Sequence, residues 1–497
     1  MIAIFVALAS GVMFYLSQGL DNAWYLAWFA PTPLLWLAYD KKPIWQVMAA
    51  SVVAFLIGAG YVLQLPYAPP LLILIPVLAL YAAQLCISVC FARFVQSRSI
   101  PLAALFAFPT CWTALEFITE LAAPNGTNGS WAYSQMSAPV LIQSASLFGM
   151  YAVTFLICLF ANTLAMGLRV RREVVVAVSV GATICMVNVA FGFVRLTEPQ
   201  HEIIRVAGIV DETAVANSWR SHSLPDDVKV TETYAREIRQ AAMEGATFVV
   251  TPEGGMASIP EVQNAIVAPL TAVSMQTGVQ IVAGFHTDRP AADFALSITP
   301  DGAIQRYDKR HPVPGLEDRY RPGRASGWLG HGRAMEVCMD MDFPGTIRPD
   351  AAKGVRLMGV PAGDFVVDGW LHGRLAVMRG VENGFAMVRP AHNGLVIASD
   401  AQGRLVAVKK DAPAGLTMVL ADLPLGPGRT LYVCIGNAFG WLCAVAAFIL
   451  GAFSMLDRRK GVPEEIATVR QDRKKVGTTL LLRDKEDNHE PHHNSRP

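Results

Sequence analysis

The sequence predicts a bundle of about eight membrane-spanning helices joined to an outward-facing mixed α/β domain. The first sign is composition: 53% of the 497 residues are hydrophobic and only 16% are charged. The second is where the apolar residues lie. They gather in stretches of about 20 residues, the length that crosses the hydrocarbon of a bilayer. The third is a polar region between about 200 and 430 in which β-branched runs alternate with amphipathic helical patterns.

The apolar stretches fall near 3–20, 23–39, 44–65, 70–92, 101–121, 139–168, 174–195 and 432–455. The first two are separated only by the short turn from Gln18 to Asn22. The first lacks the basic start of a signal peptide, and another span follows at once, so it reads as a membrane helix. The chain therefore divides into a bundle at 1–197, an outward domain at 198–430, a last span at 431–456 and a charged tail at 457–497. The tail is low in aromatic residues and is expected to be disordered.

Basic residues set the orientation. Lys41 and Lys42, Arg93 and Arg98, and Arg169, Arg171 and Arg172 occupy alternate loops, and Arg458, Arg459 and Lys460 follow the last span. The loops between them carry neither Lys nor Arg, so the basic side is cytoplasmic and the polar domain lies outside. A net charge of +1 gives no reason to expect a nucleic-acid partner. No phosphate loop, dinucleotide fingerprint or zinc spacing is present, and neither cofactor nor metal is expected.

Within the outward domain, Ile203–Val210 reads as a strand and Asp227–Glu244 as a helix. A β-branched run then ends at Thr251-Pro252-Glu253-Gly254, which puts a carboxylate at a buried strand tip. A helix at Ile259–Thr277, a strand at Val279–Phe285 and a hairpin turning at Asp301-Gly302 lead to Tyr307-Asp-Lys309-Arg-His-Pro-Val-Pro. Seven of the eight cysteines lie in apolar segments, and Cys338 alone lies in the polar region. It ends the run Arg333–Val337 and precedes Pro344, a helix-starting residue, so it sits on a strand-to-helix turn where backbone N–H groups favour a thiolate. Strands at Val355–Val360, Phe385–Pro390 and Val396–Val408, with a helix at Trp370–Asn383, complete the domain. Taken singly, Cys338 also reads as a buried structural thiol, Glu253 as a loop carboxylate and Lys309 as a solvated base.

In the bundle, Cys111-Trp112-Thr-Ala-Leu-Glu116 places a carboxylate inside an apolar helix, where it must face the interior or a functional cavity. Trp131 and Tyr133, in the loop that follows, suit an interfacial aromatic belt.

In the order Glu253, Lys309, Cys338, these segments resemble the Glu-Lys-Cys triad of the nitrilase (carbon–nitrogen hydrolase) superfamily. Within it they most resemble the membrane-bound apolipoprotein N-acyltransferases. The lysine motif, followed by Glu317, is the most specific match. The resemblance implies a nitrilase-like αββα sandwich over the outward domain. It implies Glu253 as general base, Cys338 as nucleophile, and Lys309 with a backbone N–H near Met339 as oxyanion stabilisers, with Glu317 in support. It also points to Trp219, Trp131, Tyr133, Glu116 and Met339 as substrate contacts. Arg379-Gly-Val-Glu382 and His392-Asn393-Gly394 resemble further family segments. The chain departs from the family in three places: Met339-Asp340 follows the nucleophile where Tyr-Glu is common, the interval from Lys309 to Cys338 is short, and the loop after the fifth span lacks the usual Phe-Pro-Trp.

The implied reaction moves an acyl chain from a phospholipid, through a Cys338 thioester, to the N-terminal amine of a diacylglyceryl-cysteine lipoprotein. A monomer in the bacterial inner membrane, with its catalytic domain in the periplasm, is expected. Two other readings stay open: a membrane-tethered amidase acting on a small amide, and a catalytically silent scaffold.

Overall fold

The computed structural model describes residues 1–66, 70–169, 172–199, 202–221 and 223–456. Arg171 and the tail at 457–497 lie outside the described residues. Among the described residues, six helices are long and apolar enough to cross a membrane, at Ile44–Gln64, Leu71–Arg98, Pro101–Glu120, Met150–Gly167, Arg172–Leu196 and Ala438–Leu456. The chain is a multi-pass membrane protein. Its helices turn large apolar side chains outward, among them Leu72, Val176 and Phe448, as lipid-facing surfaces require.

Helix α1 (Ile2–Gln18) packs beside α3 (Ile44–Gly58). The expected span at 23–39 is instead a 3-10 turn, Trp24–Trp28, followed by the short helix α2 (Thr32–Ala38). Pro31 and Pro33 lack the N–H that would continue a single helix through this stretch. Helices α4 (Leu71–Arg98) and α5 (Pro101–Glu120) follow as expected. The expected span at 139–168 is divided into Pro139–Ile142, Ala145–Phe148 and α6 (Met150–Gly167). Gly149, at φ +76°, makes the last break in a backbone conformation open to glycine. Helix α7 (Val175–Leu196) then leads to the outward domain.

The basic loops share one end of the bundle. Arg169 Nη1 lies 3.7 Å from the Asp40 carboxylate beside Lys41. Ser99, after the Arg98 turn, hydrogen-bonds Ser454 near the end of the last helix at 2.8 Å.

Among the described residues, the α/β domain is built on two seven-stranded sheets. The first holds β1 (Ile203–Asp211), β2 (Phe248–Val250), β3 (Met256–Ala257), β4 (Gln280–Asp288), β5 (Ala291–Ile298) and β6 (Ile304–Asp308). The second holds β7 (Trp328–Gly330), β8 (Arg333–Met335), β9 (Leu357–Gly359), β10 (Ala362–Gly363), β11 (Ala386–His392), β12 (Leu395–Ser399) and β13 (Leu405–Lys410). Strand β14 (Leu416–Pro424) returns to pair antiparallel with β1 at the edge of the first sheet. Phe248, Val250 and Val282 meet Met335, Leu357 and Val388 in one core between the sheets. Outside the first sheet lie α8 (Glu212–Arg220), α9 (Leu224–Met243) and α10 (Gln263–Thr277). Outside the second lie α11 (Pro344–Ala351) and α12 (Gly369–Asn383). This is the αββα sandwich that the resemblance implied; α8, β14 and the short strands β3, β7 and β10 escaped the sequence reading.

Helix α12 also joins the two halves of the molecule. Its Val377 and Val381 share a core with Ile142 and Met150 of the bundle. Buried charges need partners, and α12 supplies them across the joint. Arg379 Nη2 donates to Tyr133 Oη at 3.0 Å. The Arg379 guanidinium pairs with Glu382 at 3.1 Å. Glu382 Oε1 accepts the Met150 N–H at 2.7 Å, satisfying a free donor at the start of α6. Replacing Glu382 with Ala therefore leaves Arg379 buried without its carboxylate. The expected loss is about 3–5 kcal/mol of stability, read as a lower Tm of the full chain in detergent; an unchanged Tm would show that the joint is held elsewhere.

Candidate active site

Lys309 directly follows β6 and is only 1% exposed. An ammonium so buried persists only among anions. Its Nζ lies 2.6 Å from Glu253 Oε1, 2.7 Å from Glu317 Oε2 and 3.4 Å from Asp293 Oδ2. Glu253 sits just past β2, and its N–H donates to Ala362 O at 3.2 Å. Asp293 comes from β5, and Glu317 from the loop after Lys309, where it also accepts the Val313 N–H at 2.7 Å. The three carboxylates form a cluster of cation-binding type, but the Lys309 ammonium is their shared partner.

Cys338 follows β8 and opens a 3-10 turn, Cys338–Asp342. It adopts φ +43°, the left-handed region that non-glycine residues enter only when the surroundings impose it. Its N–H donates to Pro361 O at 2.9 Å, and its Sγ lies 3.5 Å from Gly363 O. The thiol also makes hydrogen-bonding contact with Glu253. The segment 361–363 thus receives bonds from the main chains of both Glu253 and Cys338.

The titration pattern follows from burial and neighbours. Burial alone raises the Glu253 carboxyl, but the Lys309 charge and its hydrogen bond outweigh it and bring the group down to about 2. Asp293 is pushed far up by burial and by the Glu253 charge, and Glu317 also rises, chiefly by burial. Burial, then Glu253, raises the Cys338 thiol, against the pull of Lys309 and Arg389. The resting site therefore holds a carboxylate at Glu253, an ammonium at Lys309 and a neutral thiol at Cys338.

The lysine motif braces this arrangement. Asp340, in the turn after Cys338, accepts from Tyr307 Oη at 2.7 Å, from the Arg310 N–H at 3.1 Å and from the His311 N–H at 2.8 Å. It thereby ties the lysine strand to the nucleophile turn. Arg310 pairs with Glu336 at 2.5 Å and Asp350 at 3.0 Å. His311 stacks on Phe343 with ring centres 3.7 Å apart.

A cavity of about 1030 Å³ opens from Glu253, Lys309 and Cys338 and runs without interruption into the bundle. Trp219, Glu317, Met339 and Arg389 line its catalytic end, and Asn125, Asn128, Trp131 and Glu116 line its middle. Phe14, Phe55, Leu74, Val77, Leu78 and Tyr81 line the membrane end. Trp219 on α8 is 44% exposed and stacks on His286 at 3.9 Å. Trp131 is buried and stacks on Trp112 at 4.0 Å. Glu116 accepts from Ser130 Oγ at 2.7 Å, Thr154 Oγ1 at 2.8 Å and Trp112 Nε1 at 3.2 Å, so it holds the loop that carries Trp131. Tyr133, grouped by the sequence with the substrate contacts, lies away from the cavity: it is 2% exposed, and its Oη is taken by Arg379 and Thr127. An aromatic beside a loop motif reads the same in sequence whether it faces a ligand or an interdomain joint.

Four residues at this site went unnoticed in the sequence: Asp293, Asp342, Asp364 and Arg389. Each of Asp293 and Arg389 is a lone charge within an apolar strand, a pattern that signals a buried partner. For Arg389 that partner is Asp364, met by two guanidinium nitrogens at 2.7 and 3.0 Å.

Residues 10–163 match the apolipoprotein N-acyltransferase N-terminal domain. An apolipoprotein N-acyltransferase of Geobacter metallireducens is 26% identical over 92% of this chain and 96% of its own length. Those of Pasteurella multocida and Shewanella oneidensis are 23% and 24% identical, over 92% and 84% of this chain and 96% and 89% of theirs. This chain is a relative of the apolipoprotein N-acyltransferases. Among solved structures, an amidase from Nesterenkonia sp. is 22% identical over 46% of this chain and 92% of its own, with a TM-score of 0.38.

Removing the Lys309 charge exposes what it does for the fold. In Lys309→Met the three carboxylates face one another without their ammonium, and their pKa values in the folded state rise above the unfolded ones. A raised folded pKa gives stability that is present in acid and lost as pH rises through the folded value. The variant's Tm is expected to fall relative to the native chain as pH rises above the ordinary carboxylate range; parallel curves there would contradict this account of the cluster.

Proposed function

We propose that this chain transfers an acyl group from a membrane phospholipid, through a thioester on Cys338, to the amino terminus of a diacylglyceryl-cysteine lipoprotein. The observation that carries the reading is the single cavity joining the Glu253, Lys309 and Cys338 side chains to an apolar chamber among α1, α3 and α4. Sites for small ligands enclose ~300–1,000 Å³; this one is at the upper end and is walled with hydrocarbon, as an acyl chain requires. The names of the relatives support the same reaction class. The basic loops at the far end of the bundle support placement of the catalytic domain on the outer face of a bacterial inner membrane.

The resting protonation states suggest how the chemistry runs. A free thiolate is disfavoured here, so Cys338 loses its proton to Glu253 as sulfur attacks the ester carbonyl. Negative charge then appears on the carbonyl oxygen. Lys309 and the N–H of Met339, in the first turn of the 3-10 helix where donors lack helical partners, receive it. The C–O bond breaks, Glu253 returns the proton to the departing lysophospholipid oxygen, and the acyl chain stays on Sγ. In the second half an amine attacks the thioester carbonyl, the C–S bond breaks, and Glu253 passes a proton from nitrogen to sulfur. Glu317 and Asp293 keep Lys309 charged and in place.

Two measurements test the reading. Native protein incubated with radiolabelled phospholipid should carry a hydroxylamine-sensitive acyl group that Cys338→Ala lacks, with transfer in that variant down at least ~100-fold. Lipids that leave no label on Cys338 would overturn the mechanism. Val77→Trp and Leu78→Trp, which fill the membrane end of the cavity, should slow acylation by long-chain donors and spare that by short-chain esters. An equal effect on both would detach the chamber from acyl binding.

A further inference from the structure

One carboxylate of the cavity has no role in the steps above. Asp342 ends the 3-10 turn that Cys338 opens; it lines the same cavity and is 5% exposed. Around it, each cation is already matched. Arg389 pairs with Asp364 at 2.7 Å, Arg379 with Glu382 at 3.1 Å, and His372 Nε2 lies 3.2 Å from Asp368. Among the described residues the Asp342 side chain accepts no hydrogen bond and forms no ion pair, so it is the carboxylate left over in this cluster. Burial pushes its carboxyl up to about 6, against the pull of the His372, Arg389 and Arg379 charges, which their own carboxylates already share. Its position is nonetheless well held, because its main-chain oxygen accepts from Thr127 N at 3.0 Å and Thr127 Oγ1 at 2.8 Å. That contact places Asp342 where the loop of the membrane bundle meets the nucleophile turn.

We propose that Asp342 binds the primary ammonium of the acyl acceptor beside the Cys338 thioester. The inference rests on the acyl-transfer reading above. An ammonium cannot attack a carbonyl until it loses a proton. Asp342 takes that proton, the neutral amine forms the N–C bond, and the C–S electron pair returns to sulfur. The second nitrogen proton reaches sulfur through Glu253, and Asp342 releases its own to water. A primary ammonium also ends an ethanolamine head group, so the experiment separates the two sources.

The test uses the full chain with Asp342→Asn and Asp342→Glu, neither of which removes the main-chain bond to Thr127. Acyl-enzyme is formed from phosphatidylglycerol or phosphatidylethanolamine vesicles, then chased with a diacylglyceryl-cysteine peptide bearing a free amine. Asp342→Asn should acylate at the native rate from both lipids. It should then transfer at least tenfold more slowly, with a raised KM for the peptide, and Asp342→Glu should recover part of the loss. Slowed acylation from phosphatidylethanolamine alone would keep the ammonium site and assign it to the donor's head group. Unchanged kinetics throughout, or equal slowing with both lipids, would overturn the proposal. Failure of the native chain to acylate at all would instead remove the reading beneath it.

Discussion

One buried ammonium sets the terms for the catalytic domain. Lys309 is surrounded by Glu253, Asp293 and Glu317, and neither the cation nor the anions would tolerate that depth alone. The interaction gathers groups from three segments of the first sheet and its loops, so the site exists only when those segments are in register. It also decides which carboxylate of the cluster is ionised. The carboxylate nearest the ammonium stays ionised, while Asp293 is pushed toward its neutral form. One side chain therefore serves both the fold and the electrostatics of the reaction.

The candidate nucleophile is held from the opposite sheet. Cys338 occupies a strained backbone conformation, and Asp340 bonds the turn behind it to the backbone after Lys309. That bracing explains an acidic residue at this position without any contact to substrate. The segment 361–363 closes the arrangement by accepting N–H groups from Glu253 and Cys338. Glu253 and Cys338, though on different sheets, are thus spaced by one short piece of main chain.

The membrane bundle is more than an anchor. It shares a hydrophobic core with α12, and the Arg379–Glu382 pair reaches across to Tyr133 and the start of α6. The loop bearing Trp131 is fastened by Glu116 from within a spanning helix. Motion of the catalytic domain against the bundle would have to break these buried polar contacts. The continuity of the cavity depends on that rigidity, because its walls come from both parts.

Much of this was legible in the sequence because it follows from local pattern. Length and apolarity determined the membrane helices, and alternation determined the sheets. The residue types at Glu253, Lys309 and Cys338 were enough to suggest acyl chemistry before any contact was known. Local pattern did not show the breaks at Pro31 and Gly149, since apolar composition alone cannot distinguish a straight helix from a bent one. Nor did it show β14, whose place is set by pairing with a strand some two hundred residues earlier. The surroundings of Tyr133, Asp293 and Asp342 were decided only by the tertiary structure. A lone charge or aromatic ring takes its meaning from what is packed against it, and those partners come from remote parts of the chain.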